Sequence, residues 1–312
     1  MLRRIAALSL LAGAPAFAAD EPPLPYTLPA TMEHHRFVVH AETSGGQTLR
    51  LFTDTGGGLN LGTTGADKLG IAWKTPANPQ AEPAGTAPWP DFAGPWIPRP
   101  ESLGTEGTLP VLVAPPWMKD DGMLGAPWFG GRNWEFDYRA GTLRLLRDGV
   151  LPEVDPAHVV KLGFQRRDGL ATTHFPRIAA RIDGEELHFL FDTGATFRLD
   201  ESAAAKLGDA AVKQRAGSFI TTEVLQRWRA KHPDWEYLPK GDGPMAMIRV
   251  PEVEIAGYRT GPVWFSARPD QAFHAYMAQW MDRPVDGALG GNAFAGFRIT
   301  VDYPSATAVF ER

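Results

Sequence analysis

The strongest constraint on this chain is a short stretch that it carries twice. Asp54-Thr55-Gly56 closes the apolar run Leu49-Arg50-Leu51-Phe52-Thr53, and Asp192-Thr193-Gly194 closes Leu187-His188-Phe189-Leu190-Phe191. An acid at the end of an apolar strand is expensive, on the order of several kcal/mol, unless it is paired or hydrogen-bonded. The adjoining Thr supplies a hydroxyl, and the adjoining Gly an unencumbered backbone N–H. One such tripeptide means little. Two, in matching frames, predict two carboxylates brought face to face.

The frames extend well beyond the tripeptides. Residues 54–70 align with 192–208 without a gap, and eight of the seventeen positions are identical. A second block repeats as Asp121-Gly122-x-Leu124-Gly125 and Asp286-Gly287-x-Leu289-Gly290, followed at equal spacing by Asp137-Tyr138 and Asp302-Tyr303. The first block is offset by 138 residues and the second by 165, so the second half holds 27 extra residues between its blocks. The helix-like Glu223–His232 and the loop Trp235–Gly243 are where these are expected. Duplicated halves tend to pack about a pseudo-two-fold axis, as a fused homodimer does, and equivalent residues near that axis meet. Asp54 and Asp192 are the residues expected to meet.

These residues resemble the aspartic peptidases, the pepsin and retropepsin group. Each half of that family has an apolar strand ending in Asp-Thr/Ser-Gly and, later, an apolar-apolar-Gly passage. Here they are Phe52-Thr53-Asp54-Thr55-Gly56 with Leu124-Gly125, and Leu190-Phe191-Asp192-Thr193-Gly194 with Leu289-Gly290. The likeness covers about residues 37–310, as a bacterial-type chain holding both lobes. It implies a mainly β fold: two similar β-barrel lobes related by a pseudo-two-fold axis, with a few short helices.

The resemblance also implies roles. Asp54 and Asp192 are the catalytic pair, and Thr55 and Thr193 a reciprocal grip between lobes. Gly56 and Gly194 donate backbone N–H groups to the carboxylates. Gly125 and Gly290 lie in strands crossing behind each Asp, where a side chain would not fit. The implied activity is an aspartic endopeptidase, in which a water is activated between two carboxylates sharing one proton. It needs no cofactor and no metal, and takes a polypeptide substrate in the cleft between lobes. The alternative is a catalytically silent peptide-binding relative. Thr53 stands where the family is apolar, and Gly57 where it has Ser, Thr or Ala; both predict a wetter or looser first-lobe site. No flap Tyr is identifiable, and Trp89 or Trp96 is the expected cover of the cleft.

Other chemistries find little support. The Gly cluster after Asp54 lacks dinucleotide spacing and a P-loop Lys. There is no HExxH and no Gly-x-Ser-x-Gly elbow, and the adjacent His34-His35 could bind metal, although such exposed pairs are more often incidental. Glycosidase carboxylates normally sit in unlike surroundings, whereas these have equivalent frames. The chain has no Cys, which excludes disulfides and thiolate catalysis. Its net charge of −5 argues against nucleic acid as a partner.

Residues 1–19 read as a signal peptide, with Arg3-Arg4, an apolar core and Ala16-Phe17-Ala18 as a cleavage site. The expectation is an exported protein, periplasmic or secreted, without stable membrane insertion and monomeric. Residues 20–36 read as an extended N-terminal segment, 37–147 as the N-terminal lobe, 148–160 as a linker and 161–312 as the C-terminal lobe. Hairpins are expected at Phe37–Asp54, Trp134–Leu146 and Ile178–Phe191. Thr64 and Asp67 suggest a capping box, with Gly70 ending the helix. An amphipathic helix is expected over Gln271–Asp282.

Overall fold

The computed structural model describes residues 21–79, 82–104 and 107–312, so the signal-peptide reading lies outside the described residues. The protein is mainly β, as the resemblance implies, with three large sheets and two two-stranded ones among the described residues. The first lobe is a seven-stranded sheet and the second a nine-stranded sheet; a six-stranded sheet takes strands from both. No helix among the described residues is long and apolar enough to cross a membrane.

The three expected hairpins are present. Phe37–Glu42 pairs with Thr48–Asp54, Asn133–Asp137 with Thr142–Leu146, and Arg177–Ile182 with Glu185–Phe191. The repeated Gly-x-Leu-Gly passages are strands lying parallel to the strands that end in the acids. Leu51 faces Gly122 and Thr53 faces Leu124 in the first lobe; Phe189 faces Gly287 and Phe191 faces Leu289 in the second. The registers are the same, so each Asp ends up at the same height in its lobe.

The shared sheet places the pseudo-dyad. Asn133–Asp137 runs antiparallel to Arg298–Asp302, with Asp137 opposite Arg298, Glu135 opposite Thr300 and Asn133 opposite Asp302. Under the 165-residue offset Glu135 is equivalent to Thr300, so the axis passes between them. Alternation puts Trp134, Phe136, Ile299 and Val301 on the face toward the lobes, all fully buried. Phe136 meets Phe191 of the second lobe at 6.1 Å, and Phe191 stacks on Phe294 at 4.6 Å. One apolar core therefore runs through both lobes. The extended lead-in contributes two short strands: Tyr26–Thr27 joins the shared sheet and Ala30–Met32 the first-lobe sheet. The linker ends in the strand Val159–Lys161, at the opposite edge of the shared sheet.

The repeat departs from the gapless alignment just beyond the tripeptides. In the first lobe Asn60–Gly62 runs antiparallel to the Gly-x-Leu-Gly strand, with Asn60 opposite Met123. In the second lobe that place belongs to Ser218–Thr221, with Phe219 opposite Ala288. Gly62 and Thr221 each donate to the carbonyl of the acid opening the second block, Asp121 and Asp286. Residues 196–216, twenty-one of the 27 extra residues, are thus an insertion directly after Ala195. They fold as the small hairpin Thr196–Arg198 with Gln214–Ala216 around the helix Glu201–Lys206. The helix Thr222–Lys231, expected at Glu223–His232, instead corresponds to Thr63–Lys68.

Other local expectations also change. Thr64 and Asp67 form no capping box: Gly62 caps the helix without a side chain, and Asp67 accepts from the Trp73 indole instead. Gly70 does end that helix at φ +67°. Gln271–Asp282 is not one helix but a π-type turn, Ala272–Tyr276, followed by a 3-10 turn, Met277–Gln279. Only Phe273 and Met281 of its apolar set are buried. Four-residue spacing is kept too briefly for a continuous helix to repay its ordering.

Trp134 is fully buried and packs on Trp128 at 4.5 Å and Phe129 at 5.2 Å. Trp134→Ala is expected to cost about 3–5 kcal/mol. Because the core is continuous, urea unfolding of wild type and variant should each follow a single transition. Two separated transitions would contradict a shared core.

Candidate active site

Each strand ending in an acid delivers its side chain to the seam between lobes, and each Gly two residues on folds back beneath the carboxyl group. The Gly56 N–H donates to Asp54 Oδ1 at 2.8 Å, and the Gly194 N–H to Asp192 Oδ1 at 3.1 Å. A Cβ added at Gly56 would stand 2.5 Å from the Asp192 Cγ, and one at Gly194 would collide with Asp54. Each Gly therefore lies against the opposite lobe's acid, and the two carboxyl groups face each other across the seam.

Beneath them the lobes are locked reciprocally. The Thr55 N–H donates to Thr193 Oγ1 at 3.1 Å, and the Thr193 N–H to Thr55 Oγ1 at 3.0 Å. The Thr55 hydroxyl in turn donates to the Phe191 carbonyl at 2.6 Å. Both Thr side chains are fully buried. Gly125 and Gly290 lie behind the acids, where any Cβ would run into the carbonyls of Gly58 and Gly217.

Burial pushes both acids upward. Asp192 is raised well above the usual carboxylate range, first by desolvation and then by the charge of Asp54 beside it. Asp54 is raised by desolvation, which outweighs the opposing hydrogen bonds from Asp192 and from the Gly56, Gly57 and Gly194 backbone. Two carboxylates so close do not both ionise cheaply, so the pair holds a proton as a unit.

The two departures in the first lobe have local explanations. Thr53 is fully buried and its hydroxyl donates to the Phe37 carbonyl at 2.9 Å, so the Thr itself is satisfied within the protein. The first-lobe site is nonetheless the wetter one, as expected: Asp54, Gly56 and Gly57 are half-buried where Asp192, Gly194 and Ala195 are buried. Gly57 is matched by its neighbour: a Cβ there would stand 2.5 Å from the Met123 Sδ and 2.6 Å from Asp54 Oδ2, so one of these side chains would have to shift. In the second lobe the equivalent pair is Ala195 with Ala288. The bulk has moved from one strand to the next.

Trp89 and Trp96 do not cover the seam. Trp89 packs on Phe92, whose backbone pairs with Thr43 at the far end of the Asp54 hairpin. Trp96 packs on Tyr26 in the shared sheet. Conversely, two residues seen only as part of the repeat lie close to the acids. Tyr138 and Tyr303 are buried, and their hydroxyls have no partner among the described residues. Burial raises both phenols, Tyr138 further in the field of Asp192 and Tyr303 in that of Asp54. Their recurrence after Asp137 and Asp302 was the available signal. Among the described residues no three His, Asp or Glu side chains converge as a metal site.

Two outcomes follow from this geometry. Gly57→Ala and Met123→Ala should be coupled in denaturant unfolding. The double variant should be more stable than the sum of the singles by about 0.5–3 kcal/mol; additive values would refute the exchange of bulk. An acid whose folded pKa is raised adds stability below its unfolded pKa that is lost as pH rises through the folded one. Asp192→Asn should therefore melt above wild type at neutral pH and converge with it in acid, and a Tm difference independent of pH would contradict the buried charge.

No protein-family model matches the chain, and no curated protein matches it. Among solved structures it is similar to an aspartic proteinase from Irpex lacteus, at 10% identity over 91% of this chain and 96% of that one, with a TM-score of 0.48. It is also similar to a retropepsin-like aspartic protease from Rickettsia conorii, at 16% identity over 49% of this chain and 90% of that one, with a TM-score of 0.27.

Proposed function

We propose that the protein is an aspartic endopeptidase that hydrolyses peptide bonds in polypeptides lying between the lobes. The observation that carries this is the pairing of Asp54 and Asp192 across a pseudo-dyad, each held by its own Gly N–H and each raised by burial. A single shared proton makes one member a base and the other an acid. The ionised carboxylate takes a proton from a water held between the pair as its oxygen attacks the scissile carbonyl. The protonated carboxyl donates to the carbonyl oxygen as the tetrahedral intermediate forms, and the proton taken from water then passes to the leaving nitrogen.

Neither role belongs to one residue, because the pair titrates together. One chain supplies both carboxylates, so the reading requires no second subunit. The leader-like sequence of residues 1–19 supports an exported protein, periplasmic or secreted. The alternative, a silent peptide binder, is less favoured at Thr53, which is hydrogen-bonded, and at Gly57, which Met123 matches, and cleavage decides between the two readings.

The test is cleavage of an unfolded protein and of a mixed peptide library. Asp54→Asn and Asp192→Asn should each lower turnover by at least about 10³-fold, the scale on which a base or an oxyanion donor contributes. Wild-type activity should have a bell-shaped pH profile, falling in strong acid as the second carboxylate is protonated and at higher pH as the shared proton leaves. Undiminished turnover in either variant would end this reading.

A further inference from the structure

The hairpin Ala30–Met32 with Phe37–Glu42 turns through only two residues, His34 and His35. Glu33 and Arg36 close it with reciprocal backbone hydrogen bonds of 2.7 and 3.1 Å. Both histidines have left-handed φ, +50° and +63°, so this is a type I′ turn. Asn-Gly fits that conformation far more cheaply than two bulky side chains do. A strained pair kept at a turn points to the side chains themselves.

Those side chains line a cavity of about 590 Å³, the size of a small-ligand site. Its far wall is the 196–216 insertion, the part of the second lobe without a counterpart in the first. The turn docks there, with the His34 carbonyl accepting from the Ala216 N–H at 3.0 Å. The floor is apolar: Phe197, Leu207, Val212 and Trp264. Lys206, Arg249 and His34 are exposed cations or potential cations around it. Lys206 makes only a long ion pair with Glu236, 3.5 Å between exposed groups. The Arg249 guanidinium has no ion pair among the described residues. Arg215 is occupied, donating to the carbonyls of Leu207, Asp209 and Val212, so it braces the wall. The buried Nδ1 of His35 has no hydrogen-bond partner among the described residues.

We propose that this cavity is a second binding site, for the free C-terminal carboxylate of a peptide that ends in apolar residues. The floor suits the apolar side chains, and Arg249 with Lys206 and His34 suits the carboxylate. The polar groups come from several separate elements: the turn, the helix end that carries Lys206, the strand bearing Arg249, and Asp209 with its acceptor oxygens. That arrangement fits a chain carrying amides rather than an alkyl tail with one polar end. The site is separate from the dyad, and the assignment does not require proteolysis.

Calorimetric titration of the Asp54→Asn variant keeps the peptide intact and separates this site from turnover. The probes are an N-acetylated tetrapeptide ending in Leu-Phe with a free carboxylate, its C-terminal amide, and decanoate. The free acid should bind at least tenfold more tightly than the amide, and Arg249→Gln should remove that preference. Replacing the turn by His34→Asn with His35→Gly should raise Tm while weakening binding of the acid. Equal binding of acid and amide, no binding of either, or tighter binding of decanoate would each overturn the proposal. So would a turn variant that gains Tm at unchanged affinity.

Discussion

The arrangement of the seam depends on the two Thr–Thr hydrogen bonds that cross it. Backbone N–H groups buried at the end of a strand must find acceptors, and here each lobe's acceptor is the other lobe's Thr hydroxyl. Neither lobe satisfies the Thr N–H of its own turn. Parting the lobes would leave two donors and the Phe191 carbonyl without partners, at about 1–3 kcal/mol each where water does not reach. The lock sits directly under the carboxyl groups, so the contact that holds the lobes together also sets the spacing of the acids.

That spacing is unfavourable for two negative charges, and the surroundings make it more so. Phe136, Phe191 and Phe294 form a contiguous aromatic layer across the lobes, and the buried Tyr138 and Tyr303 lie within the field of the acids. Nothing cationic faces the pair among the groups that perturb it. Apart from the partner acid itself, compensation comes from backbone N–H groups, which are too few to hold two full charges. One proton is the cheapest remedy, and it leaves the pair ready to accept and to donate in the same step. A cation placed here would have ionised both acids and removed the donor.

Much of this was legible in the residues because the relevant constraints are local and discrete. Asp-Thr-Gly after an apolar run, and Gly-x-Leu-Gly at a fixed distance, leave few alternatives: an acid, a hydroxyl and a backbone with no room for Cβ. The equal registers of the two lobes follow from period-two alternation, which a one-residue slip would invert. Other features depend on volumes contributed by distant segments. Thr53 reads as a polar intruder until the Phe37 carbonyl is beside it. Gly57 reads as looseness until Met123 fills the space. Trp89 and Trp96 carry no directional information in a Pro-rich stretch, and either face of the lobe could have taken them.

The insertion at 196–216 misled the alignment for a physical reason. Its helix Glu201–Lys206 has small residues inward and Leu207-Gly208 at its end, the same pattern as Thr63–Lys68 with Leu69-Gly70. Any short helix that packs Ala against a sheet and stops at a left-handed Gly needs that pattern. Identity at those positions therefore reports a shared local requirement, not equivalent places in the fold. The equivalence that matters is fixed by backbone pairing: Gly58 and Gly217 both crowd the crossing-strand Gly, and Gly62 and Thr221 both bond the acid ahead of it. Pseudo-symmetry is kept where backbones must approach across the seam, and is free to lapse one turn further out. There the second lobe has built a wall against the His34-His35 turn that the first lobe does not possess.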